Sequence, residues 1–248
     1  MGIPVKKLSN EKVSDNFDLK LINPKLECLY QYTDHFTRRI MGRKDLLIRQ
    51  VIDSDELYLL SEARKKIYKK HADYFSQFYN NDYFIDDKDY SSYLFACYFQ
   101  GEIVGTQRIA TYPFEVCQYI NNEALSAFLE DDFKEKYIEF SRLAVNNDYG
   151  LGRGVAHALN VVAGILVTMS IKKSRYITYS KPKLKRKEAN FGEEVLTFTI
   201  HERGNEQYEL YKADTLIGMS QLLGIDKQPG LSLFDSINNV MMKDEWGE

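Results

Sequence analysis

A glycine-rich turn between a strand-like run and an apolar run is the stretch of this chain that first suggests chemistry. The glycines are Gly150, Gly152 and Gly154, and they lie between Ile138–Val145 and Val155–Ser170. Because glycine has no Cβ, its backbone can approach an anion closely. When such a turn opens a helix, backbone N–H groups and the helix N-terminus together can hold a phosphate. The spacing therefore predicts a phosphate-binding turn.

Two common nucleotide-binding motifs do not fit this turn. The dinucleotide fingerprint requires G-x-G-x-x-G, and here the third glycine comes one residue too early. A P-loop requires G-K-S/T, whereas Gly154 is followed by Val155 and Ala156. A glycine-rich connection that binds no ligand remains the alternative at this point.

Two adjoining motifs resemble those of the GNAT acyltransferases. Residues 149–154, YGLGRG, resemble the pyrophosphate-binding motif Q/R-x-x-G-x-G/A, with Tyr149 where that family has Gln or Arg. Residues 139–145, EFSRLAV, resemble the E-x-S/T-R-L/F-A-V strand of acyl-homoserine-lactone synthases and N-acyl amino acid synthases. That branch of GNAT transfers fatty acyl groups. The resemblance implies an acyl-phosphopantetheine thioester as co-substrate, either acyl-CoA or acyl carrier protein, with no permanently bound cofactor and no metal.

The resemblance also implies a fold and a donor site. The fold is α/β (a three-layer α+β arrangement), GNAT-like, with a mixed and splayed central sheet flanked by helices. It covers residues 45–215, preceded by an N-terminal extension at 1–44 and followed by a helical segment at 216–248 that packs on the domain. The residues expected to bind the pantetheine arm and its phosphate are Leu143, Ala144, Val145, Tyr149, Gly150, Leu151, Gly152, Arg153 and Gly154.

A charged network around the acceptor site is a further implication of the resemblance. Its members are Arg64, Arg108, Arg142, Asp86, Asp89 and Glu139, with Tyr68 and Tyr74 at aromatic positions of the same site. Arg108 lies in an apolar strand-like run, where an unpaired charge is costly. Asp86, Asp89 and Glu139 are its expected partners. Without the resemblance, Arg64 fits a solvated basic helix face, and the two aspartates fit a polar turn.

The expected reaction is direct attack of an amine on the thioester. None of Cys28, Cys97 and Cys117 has a recognisable His partner, which disfavours a covalent thiol intermediate. Glu139 is the expected base or water-positioning residue, with a structural role as partner of Arg142 or Arg108 as the alternative. The resemblance to acetyltransferases implies a tyrosine that protonates the leaving thiol in the helix after the fifth strand, but the corresponding segment, KLKRKEAN, contains none. Tyr179 is the expected substitute, and a site without such an acid is the alternative.

The acceptor is expected to be the amine of an amino acid or a similar small amine. Homoserine-lactone synthases use Phe and Trp where this chain has Tyr68 and Tyr74, which favours an N-acyl amino acid synthase-like activity. A homoserine-lactone synthase that uses S-adenosylmethionine and an ornithine-lipid-type acyltransferase are alternatives. A GNAT-fold binding or regulatory module without turnover is the alternative from another class.

A basic segment follows the expected site. Its charges are Lys181, Lys183, Lys185, Arg186 and Lys187. A solvated basic helix is one interpretation. The other is a surface that attracts an acyl carrier protein, because those proteins are strongly acidic and complementary charge steers association.

The elements that must position these residues follow from periodicity and turn signals. Asp53 and its acidic neighbours predict a helix start, and Gln100–Gly101 predicts a hairpin turn. The expected strands are 46–52, 93–99, 102–111, 138–145, 175–180, 195–201 and 207–210, and the expected helices cover 57–67, 124–129, 155–170, 183–190, 216–223 and 231–242.

Composition bears on the kinds of partner and the location that the protein can have. A net charge of −3 gives no nucleic-acid signature. We expect a cytoplasmic protein without a transmembrane segment, since there is no signal-peptide pattern and no apolar run long enough to cross a bilayer. The 18 tyrosines and 14 phenylalanines, many of them between Tyr68 and Tyr98, predict either an aromatic core or a tunnel for an acyl chain.

Overall fold

The computed structural model describes residues 45–71, 84–182 and 194–233, together with residues 235, 236 and 239. The expected N-terminal extension, Tyr74 and the basic residues after Lys181 lie outside the described residues.

Within the described residues, seven strands form one sheet in the order β1-β2-β3-β4-β5-β7-β6. Strands β4 and β5 are parallel, and every other neighbouring pair is antiparallel. The expected mixed sheet is therefore confirmed. The strands are β1 Leu46–Gln50, β2 Tyr93–Phe99, β3 Glu102–Ala110, β4 Tyr137–Val145, β5 Arg175–Ser180, β6 Leu196–Ile200 and β7 Glu206–Asp214.

Helices pack on both sides of this sheet. They are α1 Ser54–His71, α2 Asn122–Leu129, α3 Phe133–Lys136, α4 Gly152–Ala158, α5 Gly164–Ile171 and α6 Thr215–Leu223. A π-helical stretch, Leu159–Ala163, joins α4 to α5 without a break. Short 3₁₀ turns lie at Asp89–Ser91, Glu115–Gln118, Asn147–Tyr149 and His201–Arg203. None of the helices in the described ranges has the length and apolar character needed to cross a bilayer.

The local signals identified most of these elements because each involves neighbouring residues. Asp53 Oδ1 accepts a hydrogen bond from the N–H of Glu56 at 2.8 Å, as expected of a residue that begins a helix. Gln100 and Gly101 adopt φ angles of 52° and 86°, the left-handed conformation that a two-residue hairpin turn requires. The strand β7 extends further than the sequence predicted, to Asp214.

The two faces of the sheet have different cores. We call the side covered by α4 and α5 the helix face; there Phe95 and Cys97 of β2 pack with Leu159. We call the opposite side the network face; there Leu94 and Ala96 of β2 pack with apolar residues of α1. Because neighbouring side chains of a strand point to opposite faces, the aromatic run of β2 is divided between two cores.

A glycine brings α4 close to the sheet. An ideal Cβ on Gly105 of β3 would lie 2.5 Å from Val155 Cγ1 and 2.9 Å from Leu159 Cδ1. These distances are shorter than any ordinary contact, so only glycine fits this crossing without a shift. The close packing places the start of α4 directly beside the end of β4.

We predict that Gly105→Ala lowers the free energy of unfolding by about 1–3 kcal/mol, because the added methyl overpacks the contact between β3 and α4. The matched control is Gly154→Ala in α4, whose Cβ would meet nothing within 4 Å. Alanine is the better helix former by about 1 kcal/mol, so this control should be neutral or stabilising. Urea denaturation of both variants checks the prediction, and equal stabilities would contradict it.

Candidate active site

A gap separates part of β4 from β5 at the centre of the sheet. The two strands pair only at Tyr137 with Arg175, Ile138 with Tyr176, and Glu139 with Ile177. Beyond Glu139 and Ile177 the strands have no further register pairs, although β4 continues to Val145 and β5 to Ser180. The sheet is therefore splayed at this position, as expected, and backbone groups that face the gap have no strand partner across it.

A β-bulge in β4 sets which side chains reach the network face. Arg108 of β3 pairs with Ser141 and Thr106 pairs with Ala144, so Arg142 and Leu143 together oppose one residue. Arg142 has φ 53°, in the left-handed region. A bulge breaks the alternation of a strand, so consecutive residues can share a face. Here Ser141 and Arg142 both reach the network face, and Leu143 packs in the core of the helix face.

Arg108 lies at the centre of the charged network and is fully buried. Its Nη1 lies 2.6 Å from Asp86 Oδ1 and 3.2 Å from Asp89 Oδ1. Its Nη2 donates to Glu115, and its Nε donates to Ser141 Oγ at 3.1 Å. The expected pairing of Arg108 with the two aspartates is present.

The other two arginines attach to the same carboxylates. Arg64 of α1 is fully buried and donates to Asp89 at 2.7 Å. Arg142 lies 3.0 Å from Asp86 and 2.9 Å from Glu115, and its side chain is 13% exposed. The network therefore joins α1, β3, β4 and the segment around Asp86, and its open side is at Arg142 and Asp86, whose side chain is 29% exposed.

The arginines keep the buried acids ionised. Burial alone would raise the pKa of Asp89, but the guanidinium groups of Arg64 and Arg108 hold it at about 2. Burial likewise opposes ionisation of Glu115, whose pKa is held at about 2 by Arg142, Arg108 and Arg203. Both carboxylates are therefore charged throughout the physiological range.

Glu139 has different partners from those expected. Its two carboxylate oxygens accept hydrogen bonds from the backbone N–H groups of Glu115 and Val116, the latter at 3.0 Å. Glu115 pairs with both Arg108 and Arg142, as Asp86 does. Glu139 is thus not the ion-pair partner that the sequence reading proposed. The sequence did not predict Glu115 as a member of the network, because it lies in a variable connection. The one sequence feature that could have indicated its burial is its position between the apolar residues Phe114 and Val116.

The environment of Glu139 alters its protonation. Complete burial and the nearby Glu115 carboxylate raise the pKa of Glu139 to about 7, against the hydrogen bonds from the two backbone N–H groups. A carboxyl group with a pKa in this range exchanges protons readily near neutral pH. It lies at the last paired position before the gap.

Tyr179 lies on the other side of the gap. Its hydroxyl lies 3.4 Å from Nη2 of Arg203, from which it accepts a hydrogen bond. Burial and the charge of Glu115 raise the pKa of the phenol well above its usual value. The structure therefore places Tyr179 next to the network, and its role as an acid stays a prediction.

The glycine turn forms a concave surface at the end of β4. A cleft of about 450 Å³ is lined by Asn147, Gly150, Leu151, Gly152, Arg153 and Gly154. Gly150 has φ 66°, a conformation that favours glycine, and α4 begins two residues later. The N–H groups of the first helical turn have no intrahelical partners, so they are suited to an anion.

Tyr149 is directed away from this cleft. Its ring packs edge-on against Phe99 with the ring centres 5.6 Å apart, and its hydroxyl donates to Glu102. Tyr149 thus attaches the turn to the β2–β3 hairpin and does not line the concave surface. Gly152 has a packing reason of its own, because an ideal Cβ there would lie 2.0 Å from Asn147 Oδ1.

Tyr68 lies on the network face, close to the arginines. It is 7% exposed, its ring centre lies 6.0 Å from that of Phe84, and Ala144 of β4 belongs to the same cluster. The structure therefore brings Tyr68, Arg64 and the end of β4 together.

We predict that Arg108→Ala lowers the free energy of unfolding by about 3–5 kcal/mol, because it leaves buried carboxylates without a partner. The control is Lys136→Ala in α3, which breaks an ion pair with Asp132 whose two side chains are 43% and 51% exposed. An exposed pair of this kind contributes little. Thermal and urea denaturation compare the two variants, and similar losses would contradict a central role for Arg108.

No protein-family model and no curated protein matches this sequence. Solved structures do match. The acyl-homoserine-lactone synthase LasI superposes with a TM-score of 0.52 at 16% identity, over 74% of this chain and 98% of that chain. The CoA-dependent acyl-homoserine lactone synthase BjaI, with SAM and isopentyl-CoA, gives a TM-score of 0.52 at 16% identity over 74% and 92%.

A third solved structure is that of an N-acyl amino acid synthase, the second kind of enzyme that the sequence motifs resemble. FeeM, an N-acyl amino acid synthase from uncultured soil microbes, superposes with a TM-score of 0.50 at 14% identity, over 73% of this chain and 98% of that chain. At these identities the similarity establishes the fold. The fold that the sequence motifs predicted is confirmed: the chain has the fold shared by acyl-homoserine-lactone synthases and an N-acyl amino acid synthase.

Proposed function

We propose that this protein is an N-acyltransferase that moves an acyl group from a phosphopantetheine thioester to the amine of an amino acid or a similar small amine. The observation that carries the proposal is the gap between β4 and β5, which ends at the cleft of the glycine turn. A linear donor with a phosphate at one end and a thioester at the other matches this arrangement. The similarity to LasI, BjaI and FeeM supports the same class of reaction.

The donor arm lies along the end of β4 in this proposal. Arg142 and Leu143 lie in the bulge, and β4 has no register partner in β5 beyond Glu139, so backbone groups there are available to the pantetheine amides. A backbone N–H at the bulge stabilises the oxyanion that develops on the thioester carbonyl. The phosphate lies against the N–H groups at the start of α4.

Glu139 is the proposed base. Because it is fully buried and bonded to two backbone N–H groups, it receives the proton of the amine through water. The amine nitrogen attacks the carbonyl carbon, the C–N bond forms, the C–S bond breaks, and the thiolate takes up a proton. Tyr179 is the candidate proton donor for that last step.

A homoserine-lactone synthase is the second candidate function. The observation that favours it is the assembly of Arg64, Asp86, Asp89, Arg108 and Arg142 into one network, as the resemblance to those synthases implies. BjaI is described with SAM and isopentyl-CoA, which makes S-adenosylmethionine an acceptor to test. Ornithine-type amines belong in the same panel.

A thiol-release assay with acyl-CoA and acyl carrier protein as donors tests the proposal. Amino acids, ornithine derivatives and S-adenosylmethionine serve as acceptors, and mass spectrometry identifies the product. Lactone formation must also release methylthioadenosine, because the substrate carboxylate displaces the sulfonium group. Acceptor-dependent thiol release supports an enzyme; tight donor binding without release with any acceptor supports a binding module.

The donor carrier is a finer point of the proposal. Of the basic residues expected to attract a carrier protein, Lys181 is described, and its Nζ lies 2.5 Å from Glu206. Lys183, Lys185, Arg186 and Lys187 lie outside the described residues. Use of an acyl carrier protein therefore stays a prediction that the two donors in the assay will test.

We predict opposite pH dependences for activity and for the contribution of Glu139 to stability. As a base Glu139 must be ionised, so kcat/KM should rise as the pH passes about 7. The unfolded carboxyl group titrates near 4.5, so between 4.5 and 7 the folded state binds more protons. The stabilisation from the neutral form is complete below 4.5 and is lost as the pH rises through 7.

Glu139→Gln is the variant for this test. It should lower turnover roughly 10²–10⁴-fold and remove the corresponding pH dependence from both profiles. Its amide can accept through only one oxygen, so a backbone N–H loses its acceptor at about 1–3 kcal/mol at every pH. Steady-state rates and urea denaturation from pH 5 to 8 check the prediction. Wild-type turnover by the variant would leave Glu139 with only its structural role.

We predict that Gly154→Asp weakens donor binding about tenfold or more, about 1.4 kcal/mol, because a carboxylate then occupies the place of the phosphate. A Cβ at this position meets nothing within 4 Å, and a carboxylate in the first helical turn is favourable, so folding should not suffer. Gly154→Ala is the control for the added Cβ. Isothermal titration with coenzyme A compares the two; equal affinities would refute phosphate binding at the turn.

A further inference from the structure

Arg203 extends from the turn between β6 and β7 into the network face. It lies in the 3₁₀ turn His201–Arg203, yet its side chain is only 8% exposed. Its guanidinium carbon lies 5.4, 5.8 and 5.9 Å from the ring centres of Tyr208, Tyr179 and Tyr119. Stacking on aromatic rings is a property of the planar guanidinium group. The rings therefore hold the side chain in one direction.

The end of this side chain contacts the charged network. Its Nη2 lies 3.6 Å from Glu115 Oε1 and 3.4 Å from the hydroxyl of Tyr179. Glu115 in turn pairs with Arg108 of β3 and Arg142 of β4. A residue from the β6–β7 turn is thus linked by ion pairs to the strands on the opposite side of the gap.

The contacts of Arg203 lie at the level where β4 and β5 separate. Strands β4 and β5 are joined by register pairs only as far as Glu139 and Ile177. Tyr179 lies two residues beyond Ile177, where the strands have separated, and Arg142 lies three residues beyond Glu139. The contacts among Glu115, Tyr179 and Arg203 therefore cross the sheet at the level of the gap.

A local role for Arg203 does not account for its burial. Burying a guanidinium group is costly unless it is paired, and a residue that only completed a turn could stay in solvent. Its acidic partner Glu115 is also paired with Arg108 of β3 and Arg142 of β4, which lie outside the β6–β7 hairpin. The pairing connects the two halves of the sheet.

We propose that Arg203 is a positioning residue which, with Glu115 and Tyr179, forms a clip that sets the separation of β4 and β5. The clip determines the width of the gap that the donor arm enters. This inference rests on the proposed function for the identity of the arm, whereas the clip itself is a property of the fold.

Hydrogen–deuterium exchange on the purified full chain tests the clip. Arg203→Met keeps an apolar chain against the rings and removes the charge, and Arg203→Lys keeps the charge without the planar fork. Glu202→Gln, an exposed change in the same turn, is the matched control. In Arg203→Met, amides of 141–145 and 178–180 should exchange about tenfold faster than in the control. Arg203→Lys should give an intermediate rate.

Donor binding is the second readout. In Arg203→Met, the Kd for coenzyme A and the KM for the acyl donor should rise about tenfold, about 1.4 kcal/mol, with a smaller change in kcat. Lysine should restore part of this loss. A chain that transfers no acyl group would refute the proposed function, and the exchange rates would still decide the clip. Exchange equal to that of the Glu202→Gln control would overturn it. Should Arg203→Met not fold, Arg203→Lys decides by the same measurement.

Discussion

The burial of Arg108 is the constraint on which the rest of the site depends. A fully buried guanidinium group must be surrounded by acids, and here it is bound by Asp86, Asp89 and Glu115. These acids come from separate segments, so satisfying one charge brings together α1, β3, the bulge of β4 and the connection before α2. The same carboxylates also pair with Arg64 and Arg142. Each charge therefore has an opposite charge beside it, and each side chain is held in one position. The network as a whole adds little net stability, because burying its charges costs desolvation energy. Removal of one member is nevertheless strongly destabilising, since it leaves the other charges buried and unpaired.

The splayed sheet lacks backbone pairing between β4 and β5 at its centre, and side-chain contacts on the network face stabilise this region instead. Beyond Glu139 the strand β4 has no partner in β5, and at Arg142 it also departs from the ladder with β3. The bulge turns Arg142 toward Asp86 and Glu115, while the backbone amides of Glu115 and Val116 hold Glu139. The same contacts that stabilise the opening therefore also place a carboxyl group with a pKa of about 7 beside it. Structure and proposed chemistry share one set of residues.

The elements around the site could be predicted because their signals are local. The strand β4, the glycine turn and the helix that follows were identified from a run of about thirty residues, and the motifs in them indicated the fold that the solved structures confirm. The position of Glu115 could not be predicted, since it depends on contacts with β3 and β4 that are distant in sequence. The direction in which the Tyr149 side chain points was not predictable either, because its partners Phe99 and Glu102 lie about fifty residues away in sequence.

The sequence by itself determined the class of fold, the place of the glycine turn and the identity of three arginines and two aspartates of the network. Residue type, spacing and period are enough for the strands and the glycine turn, because they reflect backbone conformation and the burial of neighbouring side chains. The fold and the members of the network were implied by the resemblance of residues 139–145 and 149–154 to GNAT motifs. Only the tertiary structure decided that Glu115 joins the network, that Glu139 binds backbone amides, and that Arg203 reaches Glu115 across the gap. The physical reason is that a buried charge selects its partner by proximity in the folded sheet, and a bulge of one residue changes which side chains share a face.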